Sequence, residues 1–267
     1  MIPKVIHYCW FGGNPLPKLA EKCIASWRKF LPDYSIKRWD ESNFDISACD
    51  YVREAYRAKK WAFVSDYARF KILYEQGGLY FDTDVEIIKP LDPLLRQGNF
   101  MGLEREGGKH MGVNPGLGLS AAPGLELYKE LLENYHRRHF INSDGTADLT
   151  TVVTYTTEIL KKHGLTNSSG IQQVAGIYIY PTEYFCPLDT DTGTLCITKN
   201  TYTIHHFMAS WCSASDKFIA RVRWFCKPYG RLGKCLQFVV TFLPRVWLKM
   251  REVAPALLYK WKHRKSS

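Results

Sequence analysis

The chain has 267 residues, 46% apolar and 14% aromatic, enough for one large domain or two small ones with a filled core, and this composition excludes a disordered or low-complexity chain. Its formal charge of +10 is uneven: residues 217–267 hold 13 Lys or Arg against one acid, Glu252, a net of +12, which leaves 23 bases and 25 acids, a net of −2, in residues 1–216. A nearly neutral body argues against nucleic acid as its partner, and the basic tail points to an anionic surface instead.

Lys4 to Phe11 reads as a buried first strand, broken sharply by Gly12-Gly13-Asn14-Pro15. Residues 17–30 carry Leu19, Cys23, Ile24 and Trp27 at helical spacing, and Tyr34 to Trp39 reads as a short strand. One long helix is expected from about Tyr51 to Gln76, closed by Gly77 and Gly78, followed by a strand over Leu79 to Phe81. Strand, helix, strand, helix, strand is the order of an α/β layer with a largely parallel sheet, in which ligands bind at the carboxyl ends of strands. Both Gly12-Gly13 and Asp82-Thr83-Asp84 fall at such ends. Further on, Gly116 to Ser120, Ile177 to Tyr180 and Thr201 to His205 read as strands, and Leu125 to His139 and Leu149 to His163 as helices. No internal repeat is visible.

The 8 cysteines form no CxxC pair, and their irregular spacing suits reduced thiols in the cytosol. The start, Met1 to His7, shows no apolar leader segment, and no run of about 18 apolar residues spans a membrane. From about Phe218 the tail mixes aromatic and basic residues, and its apolar run Cys235 to Leu243 ends at Pro244, a length that fits a segment lying in a membrane interface.

Asp82 and Asp84 are at i and i+2, so both carboxylates project to one side of an extended segment. Such a pair can hold a hard divalent cation, and the cation a diphosphate. An Asp-x-Asp alone is more often a surface turn. A calcium loop starting at Asp82 would need Gly at its sixth position and Glu at its twelfth, where the chain has Ile87 and Pro93. What lifts the pair is context. Ser65, Asp66 and Arg69 share one helix face one turn-and-strand upstream, on a helix whose other residues are largely apolar, and buried charges need partners or a ligand. Trp10 beside Gly12-Gly13 can stack on a base or simply fill the core. Adjacent His205 and His206 point to opposite strand faces, so one of them at most joins a given site. Asn114, before Pro115-Gly116, is by itself an ordinary turn residue.

In combination and order, Ile2 to Gly13, Ser65-Asp66-x-x-Arg69, Gly77-Gly78-x-Tyr80-x-Asp82-x-Asp84, Tyr180-Pro181-x-Glu183-Tyr184-Phe185 and His205-His206 through Ser210-Trp211 resemble the retaining glycosyltransferases with a DXD sugar-nucleotide motif. That family includes capsular and exopolysaccharide synthesis enzymes and fungal outer-chain mannosyltransferases, with the glucosylating domains of bacterial toxins more distant. The resemblance covers residues 2 to 211 and implies a GT-A type fold with a mixed, mainly parallel sheet over residues 1–215. Residues 216–267 would form a basic, amphipathic helical tail. It implies that Trp10 stacks on the base and the Cys9 backbone contacts it. Ser65, Asp66, Arg69 and Tyr80 would hold the donor, with Arg69 near the diphosphate. Asp84 would ligate Mn²⁺ or Mg²⁺, with Asp82 touching ribose, sugar or metal. Ser210 and one histidine, His206 by preference, would complete the metal side. Trp211 would bind the diphosphate and Asn114 would line the sugar pocket. The expected reaction is hexose transfer from a nucleotide sugar, UDP-hexose first, to a glycan or lipid-linked acceptor. The expected setting is the cytoplasmic face of a membrane. A nucleotide-sugar hydrolase or pyrophosphorylase, and a non-catalytic protein binding an anionic surface, are the rival classes.

Overall fold

A computed structural model describes residues 1–107, 111–190, 192–208 and Val222. Two compact units divide the chain, and every named strand and helix lies in the first, Met1–Thr190 with Thr194–Trp211. The second, Asp191–Gly193 with Cys212–Ser267, lies almost wholly outside the described residues, and so does the expected amphipathic tail.

The fold is mixed α/β, as the sequence implies. Strand β1 (Val5–Cys9) sits between β2 (Ser35–Trp39) and β3 (Gly78–Tyr80), parallel to both. Beyond β3 the sheet continues through β7 (Leu119–Ala121), β5 (Phe100–Arg105), β9 (Ile177–Tyr180) and β8 (Gln172–Val174), with β6 (Gly112–Asn114) also on β5. The β5–β9 pair is parallel, and β3–β7, β5–β7, β5–β6 and β8–β9 are antiparallel. A separate two-stranded sheet pairs β4 (Val85–Ile87) with β10 (Thr203–His205), antiparallel.

Both faces of the large sheet are covered, which is why its strands read as nearly continuous apolar runs. On one face, Tyr80, Met101, Val113 and Leu119 pack under α2 (Asp50–Arg57), α3 (Trp61–Gln76), α5 (Glu126–His136) and α6 (Val152–Lys162). On the other, Ile6, Leu79, Phe81 and Phe100 meet α1 (Lys18–Phe30), α4 (Asp92–Gln97) and α7 (Thr182–Phe185). The expected single helix from Tyr51 to Gln76 is two: the chain turns at Ala58–Lys60, where Lys59 takes φ 57°. The expected strand from Gly116 begins at Leu119, because residues 115–117 form a turn.

Two features place the acidic pair. Gly77 and Gly78 end α3 at φ 62° and 102°, and a side chain on Gly78 would come within 2.7 Å of the Val5 carbonyl, so only glycine allows α3 to turn directly into β3 beside β1. Helix α1 then anchors the strand just after the pair: Trp27 donates its indole N–H to the Val85 carbonyl at 2.7 Å, and Ser26 Oγ accepts the Ile87 amide at 2.9 Å. Asp82-Thr83-Asp84 thus bridges the two sheets with both ends anchored.

Candidate metal centre

Helix α3 is buried nearly all round, and Asp66 and Arg69 are buried with it. Arg69 is 3% exposed; its Nη2 lies 2.8 Å from Asp66 Oδ1 and 3.2 Å from Asp82 Oδ1. Its Nε donates to the Ser65 carbonyl at 3.1 Å, and its guanidinium stands 5.0 Å over the Tyr80 ring. Tyr80 completes the group by donating its hydroxyl to Asp82 Oδ1 at 3.1 Å. Burial pushes the Asp66 carboxyl up to about 7, with Arg69 pulling against it. Burial, opposed by Arg69, also raises Asp82. Burial opposes the charge of Arg69, but Asp82, Tyr80 and Asp66 more than restore it.

Asp84 has different neighbours. Strand β10 lies against β4 with His205 opposite Val85, which brings His205 Nε2 to 3.2 Å from Asp84 Oδ1. The chain then wraps round Asp84: its carbonyl accepts the His206 amide at 2.9 Å, and its Oδ2 accepts the Met208 amide at 2.7 Å. Phe207, at φ 48°, sets its ring 4.1 Å from the His205 imidazole. Burial works against the Asp84 anion, but the hydrogen bond and charge of His205 and the Met208 amide hold its carboxyl below the usual range. Burial lowers His205, yet the bond to Asp84, with the charges of Asp84, Asp82 and Glu104, raises it.

Donor atoms of Asp82, Asp84 and His205 lie within 4.8 Å of one another. The residues fit a divalent ion. Two carboxylates and an imidazole make a donor set that can hold a divalent cation. Among the described residues His205 Nδ1 is buried with no hydrogen-bond partner, so an ion reached by this ring would meet a group whose polar capacity is not spent. Asp82 is the open member, its side chain 30% exposed.

Of the two histidines, His205 is the one whose ring lies beside Asp84, whereas His206 Nε2 lies 2.8 Å from Glu86 Oε2, a carboxylate that also meets Lys22 Nζ at 2.9 Å. Strand alternation separates the two rings, and only the register against β4 says which one faces in. Ser210 and Trp211 lie outside the described residues.

The remaining expected residues are distributed around this centre. Cys9 is buried at the end of β1, with burial pushing its thiol up to about 12 and Arg69, Tyr80, Asp82 and Ser65 as its neighbours. Ser65 donates its hydroxyl back to the Trp61 carbonyl at 3.1 Å. Trp10 is half-buried and donates its indole N–H to the Asn14 carbonyl at 2.7 Å. Asn114 reaches the centre through the backbone: its Oδ1 accepts the Gly116 amide at 2.6 Å, and the Gly116 carbonyl accepts the Asp82 amide at 3.1 Å. A Cβ on Gly116 would stand 2.1 Å from Asp82 Oδ2, so the chain lies directly against that carboxylate. Glu104, which holds Asn114, is not among the residues expected from sequence, because β5 itself carries no clear strand signal.

Residues 17–101 match the family described as glycosyltransferase sugar-binding region containing DXD motif, as the resemblance implied, and the match includes Asp82-Thr83-Asp84. Inositol phosphoceramide mannosyltransferase 3 of Schizosaccharomyces pombe is 36% identical over 101 residues, 35% of this chain and 27% of that protein. Inositol phosphoceramide mannosyltransferase 1 of the same yeast is 32% identical over 111 residues, 38% of this chain and 33% of that protein, so the chain spans a third or less of the length of these relatives. Uncharacterized glycosyltransferase L373 of Acanthamoeba polyphaga mimivirus is 25% identical over 225 residues, 79% of this chain and 84% of that protein. Among solved structures, PaToxG glycosyltransferase is similar at TM-score 0.45 and 18% identity, over 60% of this chain and 69% of that one. The chain is glycosyltransferase-like by family match and by its named relatives.

Proposed function

We propose that this chain is a metal-dependent, retaining glycosyltransferase of GT-A type that moves a hexose from a nucleotide-diphospho-sugar to a growing glycan or lipid-linked acceptor. The observation that carries the reading is the convergence of Asp82, Asp84 and His205 within 4.8 Å, beside a buried Arg69. Breaking the anomeric C–O bond leaves a nucleoside diphosphate with growing negative charge. A divalent ion held by Asp82, Asp84 and His205 supplies Lewis-acid stabilisation of that charge when bound. Arg69 adds a fixed positive charge in a water-poor setting, where it acts more strongly than in solvent. Asp66 and Tyr80 fix the orientation of the guanidinium. Trp10 and Cys9 line the base end of the donor under this reading, and Asn114 the sugar end. Retention of configuration follows from the resemblance.

A UDP-hexose is the first donor to try. Two of the relatives are named as mannosyltransferases for a lipid, inositol phosphoceramide, so GDP-mannose belongs beside it. A lipid-linked acceptor also agrees with the net +12 of residues 217–267, a charge suited to an anionic membrane face at roughly 1 kcal/mol for each base near the surface. Among the described residues no helix is long and apolar enough to cross a membrane.

The test is a thermal-shift screen of nucleotide sugars with and without Mn²⁺, followed by turnover with the donor it selects. A true donor stabilises the fold only with the metal present, by mass action. Asp84→Asn is expected to lose that metal-dependent shift and at least ~100-fold in turnover. Full turnover of Asp84→Asn in saturating Mn²⁺ would sink the reading.

A further inference from the structure

We propose that Glu104 is a positioning residue of this centre, holding Asp82 in place through Asn114 and the backbone of Gly116. The proposal rests on the metal reading of Asp82. Glu104 is on β5, a strand away from β3. The pairing of β5 with β6 slips between Leu103 and Arg105, which leaves Glu104 on the irregularity. Bulges of this kind re-aim a side chain and recur beside active sites. Glu104 Oε2 accepts the Asn114 Nδ2–H at 2.6 Å. Asn114 Oδ1 accepts the Gly116 amide at 2.6 Å, and the Gly116 carbonyl accepts the Asp82 amide at 3.1 Å.

These contacts form one unbroken chain from a carboxylate to the first aspartate of the pair. Asn114 is 8% exposed, so its amide has little water to fall back on. A charged acceptor makes the first link stronger than a neutral one would. It also fixes which way round the amide sits, since only Nδ2 can donate to Glu104, and Oδ1 is thereby turned to the Gly116 amide. Gly116 cannot shift freely either, because its Cα lies directly against Asp82 Oδ2. Among the described residues Glu104 makes no other close ion pair: Arg105 Nε stands 3.8 Å from its Oε1, at the edge of contact. Its charge also falls on His205, on the other side of the same centre. A glutamate at this bulge is thus not explained by packing or by a surface ion pair; it is explained by what it holds.

The experiment has two arms on the full chain. In the metal-free protein, amide hydrogen exchange at Gly116 and Asp82 reads the hydrogen-bond chain directly. In the second arm, Mn²⁺ alone is titrated and followed by its electron paramagnetic resonance. Glu104→Ala is expected to speed exchange at both amides about tenfold and to raise the Mn²⁺ dissociation constant about tenfold, the usual range for a group one shell from a metal ligand. Glu104→Gln keeps an acceptor for Asn114 and should stay within about threefold of wild type in both arms. Asn114→Ala should match Glu104→Ala, and the double variant should be no worse than either, since both break one chain. Wild-type behaviour of Glu104→Ala, equal loss in Glu104→Gln, or additive loss in the double variant each overturns the proposal. If the wild type binds no Mn²⁺, the metal reading fails by itself, and the exchange arm still decides the role of Glu104.

Discussion

Asp82 and Asp84 are two residues apart in sequence and belong to different parts of the molecule. Asp82 is held from within the first third of the chain, by Arg69 on α3 and Tyr80 on β3. Asp84 is held across 121 residues, by His205 on β10 and the Met208 amide. On the first side a permanent cation sits between the buried Asp66 and the more open Asp82, and desolvation raises both carboxyls. On the second side a titratable cation sits on one acid, which falls below its usual range. The contrast amounts to a division of labour. The Arg69 side is a rigid, always charged wall, while the His205 side carries a titratable ring that, under the proposed reading, would give up its proton to a divalent ion.

The largest expected effect breaks the rigid side. Arg69→Leu leaves the buried Asp66, and Asp82 beside it, without their shared counter-ion, which should cost about 3–5 kcal/mol of stability at pH 7.5 by urea unfolding. The loss should shrink as the pH is lowered towards 5. Asp66, already raised to about 7 with Arg69 present, takes up a proton more readily without it, and the uncompensated charge disappears. A loss independent of pH would show that packing, not charge, is what Arg69 supplies. Donor turnover should fall ~100-fold or more in the same variant.

A smaller effect tests the support beneath that side. His7, fully buried in β1, accepts the Trp39 indole N–H on Nδ1 at 3.0 Å and lies 3.0 Å from the Gly77 carbonyl through Nε2, so it ties β2, β1 and the turn into β3 together as a neutral ring. Burial lowers its pKa to about 4. A histidine depressed in the fold binds fewer protons folded than unfolded, so its stabilisation is whole above the unfolded pKa near 6.5 and is lost as the pH falls from there to about 4. The loss is ~3 kcal/mol at most over that window. His7→Asn should be less stable at neutral pH and show a flatter slope of stability between pH 6.5 and 4.5. An unchanged slope would remove His7 from the account.

The same division decides how much can be read from sequence. The Arg69 contacts on the Asp82 side are local: Ser65, Asp66 and Arg69 follow helical spacing, and Gly77-Gly78 marks the turn that delivers Asp82. Helix periodicity and glycine chemistry expose such features without a structure. The Asp84 side depends on which strand pairs with β4, and in what register. A one-residue slip exchanges His205 for His206, and no local signal fixes that register. Glu104 is hidden for a related reason. Strand β5 reads Phe-Met-Gly-Leu-Glu-Arg, too short and too interrupted by Gly102 to stand out, yet it crosses the middle of the sheet. The break at Lys59 inside the expected long helix is silent in sequence, because Tyr51 to Gln76 contains no Pro or Gly to announce it.

The register against β4 also gives the finest test of the two sides. His205→Ala removes the proposed metal donor and the charge partner of Asp84, and should weaken Mn²⁺ binding about 10–100-fold. His206→Ala should change it less than about twofold, because His206 is spent on Glu86, which keeps Lys22. The two positions are adjacent in the chain, so general damage to the end of β10 would appear in both. Only a register that turns His205 inward separates them. Because, against burial, Asp84 raises His205, calorimetric titration of Mn²⁺ into each variant at several pH values separates proton competition at this ring from loss of a donor. Equal loss in the two variants would mean that the strand, not the ring, is what Asp84 needs. A larger loss in His206→Ala would mean that the register is shifted by one residue and that the two histidines trade places when the metal arrives.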